Sequence, residues 1–302
     1  MHEVRKSIIT ALAVCIGMAF CCFGPIRASD RASETLHVFV SIPPQARFVK
    51  AIGGGHVDVS VMVRPEKSPA SYEPSPRQMT TLARSEIYFA IGVPFESSWL
   101  ENFATANPDM RIIHTEKGLA KQPIRRSHED ESRREGPEKG KDRIKDPHIW
   151  LSPPLVMLQA RRILAGLCAA DPANRADYRK NYRAFIQHLA ALDAELMQQL
   201  ETVSNPRFMV YHPSWGYFAD AYGLRQIPIE VAGKAPKARK VKELIKTAKH
   251  YELRQIFVQP QFSTRQARII AKEIGARLVA ADPLAKNWEH NLRTVAEAIK
   301  NQ

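Results

Sequence analysis

DPANRADYRKNYRAFIQHLAALDAELMQQL, residues 171–200, decides the architecture. Tyr178, Tyr182, Phe185, Leu189, Leu192, Leu196 and Leu200 recur at intervals of three and four. That spacing gathers them on one stripe of a helix. Asp171-Pro172 reads as its start, with aspartate as N-cap and proline at the first helical position. The stripe predicts about eight turns, roughly 45 Å at ~1.5 Å per residue. A helix of that length exceeds what one small domain needs, so it reads as a spine joining two.

Both flanks carry an α/β rhythm. Before the helix, Leu36–Ile42, Val57–Val63, Ile87–Ile91 and Arg111–Ile113 read as strands. Phe48–Ile52, closed by Gly53-Gly54-Gly55, and Pro76–Ser85 read as helices. After Asn205-Pro206 the candidates are strands Phe208–Tyr211, Gln226–Ile229, Gln255–Val258 and Arg277–Ala281. Helices follow at Val241–His250, Thr264–Ile274 and Asn291–Asn301. Strands alternating with helices imply mainly parallel sheets with crossover connections. The expected fold is therefore two α/β lobes joined by one long backbone helix: an N-terminal lobe over 29–153, helices over 154–205, and a C-terminal lobe over 206–302.

Residues 1–28 read as a secretory signal peptide: Arg5 and Lys6, an apolar run Ile8 to Phe23, then Ile26-Arg27-Ala28 before Ser29. The alternative is an uncleaved anchor. A lipoprotein acceptor is disfavoured, because Phe20 rather than a small residue precedes Cys21. Cys15, Cys21 and Cys22 leave with the leader, so Cys168 remains alone and no internal disulfide is available. Cys168 lies in the apolar helical stretch Ile163–Ala170 and reads as a buried thiol. The remainder is long enough for two domains of ordinary size. The chain carries a formal charge of +13, of which the leader holds a net two. Nucleic acid is not the expected partner, since basic–aromatic interleaving and a recognition-helix pattern are both missing. Lys121 to Lys145, dense in both charge signs, cannot bury a core and reads as a mobile surface loop.

Three residues could carry chemistry. His148 follows Asp146-Pro147 and precedes Ile149-Trp150, which can anchor the segment. His212 stands where Phe208–Tyr211 gives way to Pro213. Asp282 ends Leu278–Ala281 ahead of Pro283. Each has an ordinary structural reading, as a hydrogen-bonded interface histidine or a helix-capping aspartate. Each also stands beside an extended segment, where open α/β sheets bind ligands. Two imidazoles and one carboxylate suit zinc or a neighbouring first-row ion. Nucleotide binding is unsupported, because Gly53-Gly54-Gly55 lacks the G-x-G-x-x-G spacing. No G-x-S-x-G elbow appears, and nothing in the sequence positions Glu73 or Glu230 as a general base.

Five segments together resemble the cluster A-I substrate-binding proteins of metal ABC importers, the zinc and manganese receptors of periplasmic solute-binding protein family 9. They are Ser41-Ile42-Pro43-Pro44, Ser71-Tyr72-Glu73-Pro74, Asp146 to Pro153, Tyr211-His212 with Gly216-Tyr217-Phe218, and Asp282-Pro283-Leu284. The resemblance implies two lobes bridged by a long helix, with the metal held between them and handed to a membrane permease. It implies Zn2+ as cargo, with Mn2+ or Fe2+ as alternatives, ligation by His148, His212 and Asp282, no enzymatic activity, and a periplasmic monomer. One position departs: the family's first histidine, just before Ser/Thr-Tyr-Glu-Pro, is here Ala70. Water, Glu73 or His128 could stand in for it. The rival readings are a two-lobed metalloenzyme and a surface adhesin.

Overall fold

Each lobe is built on a four-stranded sheet, and the two sheets have the same plan. In the computed structural model, residues 35–64, 66–124, 145–230 and 233–302 are described. The leader, His128 and most of the charged excursion lie outside them. The first sheet comprises β1 (Leu36–Val40), β2 (Val57–Val61), β3 (Ile87–Ala90) and β4 (Arg111–His114), ordered β2-β1-β3-β4. The second comprises β5 (Arg207–Val210), β6 (Arg225–Pro228), β7 (Gln255–Val258) and β8 (Arg277–Ala280), ordered β6-β5-β7-β8. Every pairing is parallel, with registers such as Val38 opposite Ile87 and Met209 opposite both Ile227 and Ile256. In both sheets the chain winds outward from the first strand and then crosses back past it. That places a switch point between β1 and β3, and another between β5 and β7, where such sheets open a ligand crevice.

The helices are α1 (Pro43–Gly53), α2 (Pro76–Leu82), α3 (Glu96–Ala106), α4 (Pro153–Ala170), α5 (Arg175–Leu200), α6 (Gly216–Ala221), α7 (Ala238–His250), α8 (Arg265–Ile274) and α9 (Trp288–Lys300). Pro43 and Pro44 open α1, where their missing N–H groups cost no helical bond. The buried Gln45 side chain accepts from the backbone N–H of Ser41 and Ile42 and donates to Phe89 O, fixing α1 to β3. Gly54 follows α1 at φ +59°, a conformation that favours glycine.

The spine is α5, and it begins later than the sequence suggests. Asp171 is the C-cap of α4, not the N-cap of the long helix. Its carboxylate accepts from Tyr178 Oη at 2.6 Å and Asn174 Nδ2 at 2.7 Å, holding α4 and α5 at their junction. The 26 residues of α5 span about 39 Å at ~1.5 Å each. Tyr178, Phe185, Leu189, Leu192, Leu196 and Leu200 are buried along it. The helix packs against α1 of the first lobe, α4, and α9 of the second. Phe48 of α1 meets Phe185 at 6.1 Å and Trp288 of α9 at 5.1 Å between ring centres. One continuous hydrophobic core thus includes residues from both lobes, while Met209, Ile227, Ile256 and Ile270 belong to a separate core in the second. Among the described residues no helix is long and apolar enough to cross a membrane.

Candidate metal site

His148 and His212 meet in the cleft between the lobes, 5.4 Å between ring centres and steeply inclined at 73°. Two imidazoles bound at ~2.0–2.1 Å in a tetrahedral shell hold their ring centres about 5 Å apart, so the spacing suits one shared cation. They arrive by different routes. His148 follows an antiparallel bridge between Pro123 and Lys145, which clasps the base of the charged excursion. Asp146 N donates to Gln122 O at 2.7 Å, continuing that clasp. His212 leaves the end of β5, where Gln259 grips its backbone: His212 N donates to Gln259 Oε1 and Gln259 Nε2 donates back to His212 O, both at 3.1 Å.

A carboxylate braces each ring from behind. Asp146 Oδ1 lies 2.6 Å from His148 Nδ1 and also accepts from His148 N at 2.9 Å. Glu230 sets its two oxygens 3.1 and 3.2 Å from His212 Nδ1. Proton-bearing Nδ1 atoms facing carboxylates fix the tautomer and leave both Nε2 atoms as acceptors, which is how a zinc-ligating histidine is oriented. Neither Nε2 carries a hydrogen bond among the described residues. Burial holds the His212 imidazole below its ordinary range, against the opposing pull of Glu230. The ring is therefore neutral at physiological pH, the form that binds metal. Phe262 stacks on His212 at 4.5 Å, and Trp150 lies 5.1 Å from His148.

The third sequence-predicted residue is placed differently. Asp282 follows β8 at the same end of the sheet but does not line the cavity around the two rings. Its Oδ1 accepts from Gln261 Nε2 at 2.8 Å and Leu284 N at 2.9 Å. Gln261 does line the cavity, so Asp282 stands one residue behind the wall. Among the described residues no three of His, Cys, Asp and Glu converge as a ready metal cluster. Ala70 lines the cavity, at the place where the resemblance expects a histidine. Glu73 is exposed and is not part of that wall. His128 lies outside the described residues. Sequence reasoning missed the bracing carboxylates and Gln259. Asp146 had a local signal, since aspartate two residues before a histidine readily accepts from its backbone N–H. Glu230 and Gln259 reach their partners only through space.

The lobes are fastened beside this cleft. Trp150 Nε1 donates to Pro283 O at 2.7 Å, and Trp288 Nε1 donates to Trp150 O at 2.8 Å. Tyr217 Oη accepts from Gln122 N and donates to Asp146 O. Burial pushes that phenol up to about 12, so it stays a donor across the physiological range.

Comparison with known proteins shows the family and the fold. A family model described as "ZnuA: Zinc-uptake complex component A periplasmic" matches residues 38–302. The chain is similar to the high-affinity zinc uptake system protein ZnuA of Bacillus subtilis, 25% identical over 252 residues, covering 83% of this chain and 79% of that protein. It is also 25% identical to the zinc-binding protein AdcA of Streptococcus pyogenes over 87% of this chain, but spans only 53% of AdcA. A solved ZnuA structure matches with a TM-score of 0.81 and 42% identity, covering 89% of this chain and 99% of that one. A laminin-binding protein of Streptococcus agalactiae, 23% identical with a TM-score of 0.75 over 88% of this chain and 99% of that one, shares the fold.

Proposed function

Because the chain belongs to the ZnuA family of zinc-uptake components, a family of transport proteins and not of enzymes, we propose that it is an exported receptor that binds zinc and delivers it to an ABC importer. The observation that carries this reading is the pair His148–His212, two Nε2 acceptors facing one cleft with each ring braced by a carboxylate. His148 and His212 hold the ion. Asp282 supplies the third protein donor by turning its Oδ2, which makes no hydrogen bond among the described residues, toward it. No bond is made or broken in the cargo, so the work of the site is selection and release. Imidazoles favour zinc over the hard cations calcium and magnesium, and leave manganese or iron as weaker cargo. The 1–28 leader directs export to the periplasm, and the 29–153, 154–205 and 206–302 segments act as lobe, spine and lobe. The protein works as a monomer, with the importer's permease as its partner.

The test is titration of chelator-stripped protein with zinc in competition with a chromophoric chelator. His148→Ala and His212→Ala each remove a direct ligand and should weaken binding at least 100-fold. Asp282→Ala should weaken it by at least tenfold. Unchanged affinity in both histidine variants would end the assignment of the site. Sequencing the N-terminus of protein secreted by the producing cell checks the leader, and a start at Ser29 is expected.

A further inference from the structure

The positive charge of the chain is concentrated in one stretch. Residues 234–277 hold twelve lysines and arginines against three glutamates, a net +9 of the chain's +13. Most of those cations stand on two helices in the same phase. On α7, Arg239, Lys242, Lys246 and Lys249 recur at intervals of three, four and three. On α8, Arg265, Arg268 and Lys272 recur at intervals of three and four. Such intervals gather each set on one stripe. All seven residues are exposed.

The second sheet fixes where the stripes point. Successive residues of a strand face opposite sides. In β5 and β7, Phe208, Val210 and Phe257 belong to the core shared with the spine, whereas Met209 and Ile256 belong to the separate core. Leu244 and Ala248 of α7 and Ala267 and Ile270 of α8 complete that separate core. The two helices also pack against each other. They therefore cover the sheet face turned away from α5, with both stripes outward. The metal cleft lies at the carboxyl ends of the strands, and none of the seven cations lines it.

Little on this face offsets the charge. Glu243 pairs with Arg239 and Lys240, each at 3.2 Å. Glu252 and Glu273 are exposed. Lys242, Lys246, Lys249, Arg265 and Lys272 make no ion pair among the described residues. Like charges held on adjacent helices repel, and an anionic surface relieves that repulsion. Four of the seven are lysines, a residue depleted in protein–protein interfaces. Helices with a lysine- and arginine-rich face suit lipid headgroups instead. Ile269, 44% exposed, stands beside the α8 stripe as an apolar contact for the headgroup boundary.

We propose that the α7–α8 face docks on an anionic phospholipid bilayer and holds the protein at the membrane surface, with the cleft left uncovered. The inference goes beyond the metal-site reading and does not need it, so either can fail alone.

The test uses chelator-stripped protein without the leader, whose residues 35–302 form one compact unit. It is sedimented with vesicles of phosphatidylcholine, alone or with one-third phosphatidylglycerol, at low and high salt. Binding is expected only with phosphatidylglycerol, and it should be lost at high salt as screening shortens. Equal binding to both vesicles, or to neither, overturns the proposal. Each lysine or arginine at such a surface strengthens binding about fivefold, so Lys242→Glu with Lys246→Glu and Arg268→Glu should weaken it roughly 100-fold or more. The three positions are exposed, and an unchanged melting temperature checks the fold. Lys50→Glu with Arg84→Glu and Arg179→Glu makes the same change in net charge at exposed positions elsewhere. That control should lose less than fivefold, and losses equal in the two variants overturn the assignment to this face.

Discussion

Glu230→Gln isolates the bracing of His212 from ligation itself. Glu230 is only 4% exposed, and both its oxygens lie within 3.2 Å of His212 Nδ1. Zinc on Nε2 draws electron density from the ring and makes the Nδ1–H a stronger donor. The carboxylate therefore stabilises the zinc-bound state more than the empty one. Glutamine keeps the shape and one acceptor but removes the charge, and charge-assisted hydrogen bonds are roughly twice as strong as neutral ones. Loss of such a bracing group costs ~10–100-fold in metal affinity, or about 1.4–2.7 kcal/mol at ~1.4 kcal/mol per decade. The empty protein should not suffer, because burying a neutral amide is cheaper than burying an anion. Competition titration with a zinc chelator should therefore show a 10–100-fold weaker complex, while the melting temperature of stripped protein is unchanged or raised. Affinity within twofold of the parent would refute the bracing role. A loss as large as that of His212→Ala would instead make Glu230 a ligand.

Three other outcomes follow from the packing. Gly166 of α4 has no room for a side chain, because a Cβ there would collide with Ile113 Cδ1 and lie 2.9 Å from Phe89 Cε1. Gly166→Ala gains ~1 kcal/mol of helix propensity but overpacks at ~1–3 kcal/mol, so urea unfolding should show a net loss of up to about 2 kcal/mol. A more stable variant would refute the close approach of α4 to β3 and β4. Burial raises the carboxyl of Glu96, although Ser41 Oγ, Ile91 N and Gly92 N all donate to it. Its contribution to stability is thus fully present below the unfolded value of ~4.3 and lost as pH rises through the higher folded value. Unfolding free energies of stripped wild type and Glu96→Gln, measured from pH 4 to 7, should show the wild type losing ground as pH rises, and a constant difference would count against this. Trp150→Phe removes the donor to Pro283 O and leaves a buried carbonyl unpaired, at a cost of ~1–3 kcal/mol. An unmoved urea midpoint would show that this bond does not fasten the lobes.

Much of the fold is legible because burial is periodic. The apolar stripe of α5 and the β-branched cores of the strands are readable from spacing alone, and each strand was located to within three residues. The start of α5 was not, because Asp171 and Asn174 are both cap-type residues. What separates them is a tertiary bond: Tyr178 Oη spends the Asp171 carboxylate on the α4–α5 junction. The helix α3 escapes a periodic reading because only Glu96 and Phe103 of its eleven residues are buried. At the site, His148 and His212 are legible as residues delivered to the cleft by extended segments. The carboxylate that braces His212 is 18 positions away in sequence, and no spacing rule connects them. Asp282 shows the opposite failure. Its position after β8 is what a ligand needs, and also what a turn residue accepting from Leu284 N needs.

The bracing pattern also bears on how cargo is let go. His212 and its brace Glu230 both follow strands of the second sheet, and Glu230 N donates to Tyr211 O at 2.9 Å. His148 and its brace Asp146 share one turn, which Tyr217 of α6 ties to the second lobe. Neither imidazole depends on the other for its orientation, so each stays set whether or not a cation is present. Binding then spends little free energy on ordering the two imidazoles, whereas Asp282 must still turn to reach an ion. The indole bonds of Trp150 and Trp288, with the continuous core along α5, oppose wide separation of the lobes. Under the proposed function, release falls to the donor that is not braced, Asp282, which stands one residue behind the cavity wall. Under that reading, two braced imidazoles with one withdrawable carboxylate let the ion leave without wide separation of the lobes.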